Sequence, residues 1–135
     1  MTDQAPEFQL GEPVGEYKAV TCYLSASSAA VAKGDLVTLV TTGSTEPGPT
    51  VTASAKDDYA FGIVMKAGAA GSYISVLILG QVKVTAWGSI SANASVAPHS
   101  QNTVYSVTTK TGIARATQAM SCGDTGLVYV HGGVV

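Results

Sequence analysis

The stretch Ala60-Phe-Gly-Ile-Val-Met-Lys-Ala-Gly-Ala-Ala-Gly-Ser-Tyr-Ile-Ser-Val-Leu-Ile-Leu-Gly-Gln-Val-Lys-Val-Thr-Ala-Trp87 carries the pattern that decides the fold class. Two strand-like runs flank a Gly/Ala turn at Gly68 to Gly71, the mark of a hairpin. From Ile74 onward every second residue is apolar or glycine: Ile74, Val76, Ile78, Gly80, Val82, Val84 and Ala86. The opposite face carries Tyr73, Ser75, Leu77, Leu79, Gln81, Lys83, Thr85 and Trp87. A period of two over this length predicts one long strand with a buried face and a mixed face. Gly80 falls on the buried face, where a missing side chain predicts a bulge or a bend. Nothing in the stretch is catalytic.

Upstream, Glu16 to Ser25 reads as a first strand, Leu36 to Thr42 as a β-branched second, and Thr50 to Ser54 as a short third. Downstream, strands are expected at Thr103 to Thr108, Ile113 to Ala116 and Gly126 to His131. The Ser/Ala-rich segments Ser25 to Lys33 and Gly88 to Asn102 lack a sustained apolar period and read as loops. No segment supports a helix of three turns. Many short strands divided by Gly, Pro and Ser turns give an all-β fold, a small β-barrel or sandwich.

Residues 1–15 read differently. Pro6, Gly11, Pro13 and Gly15 break regular structure, yet Phe8, Leu10 and Val14 are apolar. An extended N-terminal arm is expected, with a solvated tail and an arm that docks on a partner both open. Residues 16–135 form the single β domain. An internal echo divides it into two related lobes, about 25–66 and 90–131. In that echo Val37, Val40, Thr41 and Thr42 correspond to Val104, Val107, Thr108 and Thr109, and Gly62-Ile63-Val64 to Gly126-Leu127-Val128. So low-complexity a composition leaves chance as the other reading.

Composition narrows the function classes. The 135 residues include only 12% charged side chains and carry a net charge of −2. With a mean hydropathy of +0.27, part of so sparsely charged a surface is expected to be covered, often by another copy of the chain. The seven basic residues form no stripe, which argues against nucleic acid. The longest apolar run, Val76 to Leu79, is too short to span a bilayer. Acids near the start, with no apolar run behind them, predict synthesis in the cytoplasm without export.

Candidate chemistry is thin. Cys22 and Cys122 fit no metal spacing; two buried free thiols and a bridge formed in an oxidising exterior both remain open. His99 and His131 lack a Gly-x-Ser-x-Gly elbow, and Asp57-Asp58 reads as a turn. No enzyme activity, cofactor or metal is expected. Tyr73 and Trp87 suit either core packing or an interface.

The run Gly34-Asp35-Leu36-Val37, then Ala60-Phe61-Gly62-Ile63-Val64, Ala67-x-x-x-Gly71 and Val76-x-x-x-Gly80-x-Val82-x-Val84, resembles the head-decoration (capsid cement) proteins of tailed bacterial viruses. The resemblance covers roughly residues 30–131 and departs from the family at the Ser/Ala-rich Gly88 to Ser100. It implies a non-enzymatic virion protein on the outer capsid surface, assembled in the host cytoplasm. It further implies trimers at local three-fold positions, the major capsid protein as partner, and an arm whose Phe8, Leu10 and Val14 reach the shell. From another class, a carbohydrate- or receptor-binding β-module of a fibre, tail or cell surface would use exposed aromatics such as Trp87 and Tyr105.

Overall fold

A computed structural model describes residues 3–41, 46–108 and 112–131. Among them there is no helix, and nine strands follow in order: β1 (Pro13–Leu24), β2 (Leu36–Leu39), β3 (Thr50–Ala53), β4 (Ala60–Val64), β5 (Tyr73–Thr85), β6 (Ser95–Pro98), β7 (Val104–Val107), β8 (Ala114–Ala116) and β9 (Thr125–Val130). They join one sheet in the order β1-β3-β2-β4-β5-β9-β8-β6-β7, and β1 also pairs with β5. That extra pairing closes a ring, β1-β3-β2-β4-β5. The remaining strands nearly close a second, β5-β9-β8-β6-β7, through an isolated parallel bridge between Ala86 and Val104. The all-β expectation holds, with the sheet curled into two rings that share β5.

The two rings are built alike. In the first, the order β3-β2-β4-β5 is antiparallel throughout; in the second, β7-β6-β8-β9 repeats it. The closing bonds match as well. Leu24 N–H donates to Ser72 O and Leu24 O accepts from Gly71 N–H, both at 2.8 Å, just as Ala86 N–H donates to Asp124 O and Ala86 O accepts from Gly123 N–H. One turn recurs four times ahead of β2, β5, β6 and β9, with its third residue at positive φ: Gly34 (87°), Gly71 (81°), Asn93 (69°) and Gly123 (86°). Each turn is closed by a bond between its first carbonyl and fourth amide, and Gly or Asn is what such a backbone demands. The structural equivalence is therefore β2 with β6 and β4 with β8. The echo read in the sequence aligns β2 with β7 and β4 with β9, one strand out of step.

Apolar side chains fill two cores. Cys22, Leu24, Val31, Val37, Val51, Val64, Ile74 and Val76 fill the first ring. The second core includes Val82, Val84, Val96, Val104, Ile113 and Val128, and it also takes Leu36, Ile63 and Leu77 from the outer side of the first ring. Successive residues of β2, β4 and β5 thus enter different cores, which is why Val76 and Leu77 are both fully buried. Leu77 and Lys83, assigned by alternation to a mixed face, are both inside, at 0% and 3% exposed. Each fully buried Val, Leu or Ile contributes about 1.5–3 kcal/mol, so the lobes are fused by the same burial that holds each together.

Gly80 marks where β5 changes rings. Before it, β5 pairs with β1 and β4; from it onward β9 replaces β4 on that edge, while β1 follows the other edge as far as Val82. Its φ of +126° is one only glycine adopts readily, and a Cβ there would stand 2.8 Å from that of Tyr17. Opposite, β1 bulges between Val14 and Tyr17. Two boundaries differ from expectation. Pro13, Val14 and Gly15, assigned to the arm, belong to β1, with Val14 opposite Gln81. Ser95–Pro98, expected as loop, is β6, paired on both sides despite its weak strand propensity.

Candidate functional site

The arm lies along the protein's own sheet, held by one cation. The Lys83 ammonium donates to Ala5 O at 3.1 Å and Phe8 O at 2.8 Å and pairs with the Asp3 carboxylate. Hydrogen bonds from Lys83 and Thr125 hold the Asp3 carboxyl below its usual range. Main-chain bonds from Gln4 N–H to Thr125 O (2.8 Å) and from Gly11 N–H to Lys83 O (3.0 Å) complete the seam. Gly11 passes so close that a Cβ would meet Gly34 N and Val64 O at 2.6 Å. Of the three arm residues chosen from sequence, Phe8 and Val14 are half-buried and Leu10 is 36% exposed. Lys83 was missed as the organiser. Its acceptors lie more than 70 positions away in sequence, so no local pattern announces them.

Tyr73 opens β5 and Trp87 lies two residues past its far end. They form no common patch. Tyr73 packs edge-on against Tyr23, with ring centroids 5.3 Å apart, and its hydroxyl reaches Glu46 at 3.5 Å. Trp87, 48% exposed, lies flat on His99 at 3.8 Å, and Tyr105 stands edge-on to both. The Tyr105 hydroxyl donates to Asp57, which pushes the phenol above its usual range, and Lys56 Nζ sits 5.8 Å over the Tyr105 ring. His99 and Tyr105 reach Trp87 only because β7 meets the end of β5, a contact no spacing in the chain signals.

Beside this cluster opens a cleft of about 650 Å³ lined by Thr38, Leu39, Thr41, Asp57, Asp58, Tyr59, Ala60 and Phe61. Asp57 belongs to both features. Elsewhere Tyr17, Leu79 and Tyr129 are 43–50% exposed, one each on β1, β5 and β9. The two thiols are free: Cys122 is exposed on a turn, whereas burial pushes the Cys22 thiol up to about 11. Among the described residues no three His, Cys, Asp or Glu gather as a metal-holding group.

No family model and no curated protein sequence matches the chain. A solved structure does: the N base of the head fiber gp8.5 of bacteriophage phi29, with a TM-score of 0.63 and 13% identity. The match covers 85% of this chain and 94% of that one. At this identity the likeness is one of fold.

Proposed function

We propose that the chain is a non-enzymatic structural protein of a phage virion that binds the outer surface of the capsid shell and cements it, as trimers at local three-fold positions. The observation that carries the reading is the shared fold: it extends over nearly the whole of both chains, and the other chain is the base of a phage head fiber. Two surface features are consistent with it. Tyr17, Leu79 and Tyr129 are large side chains left exposed on β1, β5 and β9, and the two tyrosines are of the kind enriched at interfaces, as contacts for another copy of the chain. The exposed side of the arm, with Leu10 and half-buried Phe8, adds an apolar edge toward the major capsid protein.

Cementing then follows from burial. A trimer bridging neighbouring capsomers buries apolar area at each contact, and three linked contacts bind far more tightly than one. The test is sedimentation of the purified chain with emptied shells assembled from the major capsid protein of the same genome. Saturable pelleting, with shells that rupture at higher temperature when decorated, supports the reading. Protein that stays in the supernatant overturns it.

A further inference from the structure

We propose that the cleft where the end of β2 meets the turn into β4 binds a neutral oligosaccharide. Its volume of about 650 Å³ falls within the range of small-molecule sites, roughly 300–1,000 Å³. Its lining mixes rings with polar groups. Tyr59 is 68% exposed and Leu39 41%, and they share the cleft with half-buried Phe61 and with Thr38, Thr41, Asp57 and Asp58. A pyranose has the matching character: an apolar C–H face that lies on an aromatic ring, edged by hydroxyls that donate hydrogen bonds.

The two carboxylates select this occupant over an apolar one. A second copy of the chain or an apolar peptide seated here would strip water from Asp57 and Asp58 and return no donors, a costly burial of charge. Sugar hydroxyls replace the lost water bonds. The acceptors are already held in place: Asp58 Oδ2 takes Ala55 N–H at 2.8 Å and Thr38 Oγ1–H at 3.4 Å, and Asp57 takes the Tyr105 hydroxyl. A carboxylate accepts about four hydrogen bonds, so both keep capacity for a ligand. Asp57 also bonds the Tyr105 hydroxyl, which sets the rings of Tyr105, His99 and Trp87 next to the cleft as a second stacking platform for a further sugar unit. With two carboxylates against one ammonium, Lys56, the site favours neutral over acidic chains.

The test is an amide-resonance titration of the full chain with neutral hexasaccharides (maltohexaose, cellohexaose, laminarihexaose, chitohexaose) and with oligogalacturonate as the acidic control. At least one neutral sugar should shift Asp58, Tyr59 and Phe61, together with the Trp87 indole, saturably with a dissociation constant of about 1 mM. Tyr59→Ala removes only an exposed ring and should weaken binding about tenfold or more. Asp58→Asn, which keeps an acceptor for the Ala55 amide, should weaken it as well. The proposal is overturned by silence at about 10 mM of every neutral sugar, equal binding of oligogalacturonate, shifts confined to another face, or full affinity in Tyr59→Ala. The site does not rest on the capsid reading, and Tyr59→Ala should still pellet with shells, so the two can fail separately.

Discussion

Replacing Lys83 by Met tests whether one side chain holds the arm. Methionine keeps most of the unbranched stem and its packing while removing the ammonium, whose bonds run to Ala5 O and Phe8 O as well as to Asp3. Hydrogen bonds from a charged donor contribute about 1.5–3 kcal/mol each, so the two main-chain bonds together hold the arm by about 3–6 kcal/mol. Ordering residues 3–12 costs about 1–2 kcal/mol per residue, leaving little margin once those bonds go. Global stability should move far less. Keeping an ammonium 3% exposed already costs several kcal/mol of lost hydration, and a buried thioether does not bear that cost. The assay is native-state hydrogen exchange. The Gln4 amide, bonded to Thr125 O at 2.8 Å, should lose about a hundredfold protection or more, whereas amides of β9 keep theirs. If Gln4 exchanges as in the parent, the arm is held by something other than Lys83. If the whole fold melts instead, the arm and the sheet are one unit.

Other substitutions probe the rest of the fold. Gly80→Ala adds a Cβ 2.8 Å from that of Tyr17 at a φ of +126°, and should cost about 2–5 kcal/mol in a denaturant melt. Asp124→Ala removes the acceptor of the Ser121 amide (2.8 Å) at a residue 5% exposed, and Asp35→Ala removes that of Ala32 (2.9 Å) and Gln101 (3.0 Å). Each should destabilise by about 1–3 kcal/mol, read from the same melt. The native Cys22 thiol keeps its proton up to about 11, whereas an ordinary thiol releases it at 9.0, so base favours the unfolded chain. Its contribution is fully present below pH 9.0 and should fall by about 2–3 kcal/mol on the way to pH 11, a loss that Cys22→Val abolishes in paired melts.

The fold class was legible because its signals are local. The alternation from Ile74 to Ala86, the glycine-rich turns and the β-branched runs each report one strand, and β2, β3, β4, β5 and β9 stand within a few residues of where those patterns put them. β6 was hidden by its Ser-Val-Ala-Pro composition, since only its pairing to β7 and β8 makes it a strand. The repeat was misread by one strand because its carrier is a turn with four different sequences, two with Gly-Asp, one with Gly-Ser and one with Asn-Ala. The second burial of β5 and the role of Lys83 were invisible for one reason. Each depends on partners supplied by a distant segment, and alternation along a strand says only which way a residue points. The same holds for the candidate site: Trp87 and Tyr105 were readable as separate aromatics, but His99 joins them only where β7 meets the end of β5, and Asp57 only through the Tyr105 hydroxyl.

The sharing of β5 sets the order in which the protein can be made. The first ring has all its strands once Thr85 has left the ribosome, but the last third of β5 waits for β9, about 40 residues later. At about 5–20 residues per second, Val84, which pairs only with β9, lacks its strand partner for about 2–8 s of synthesis. The nascent chain thus passes through a state with one closed ring and one sticky strand end. Neither repeat can finish alone, and the completed protein should melt in a single step.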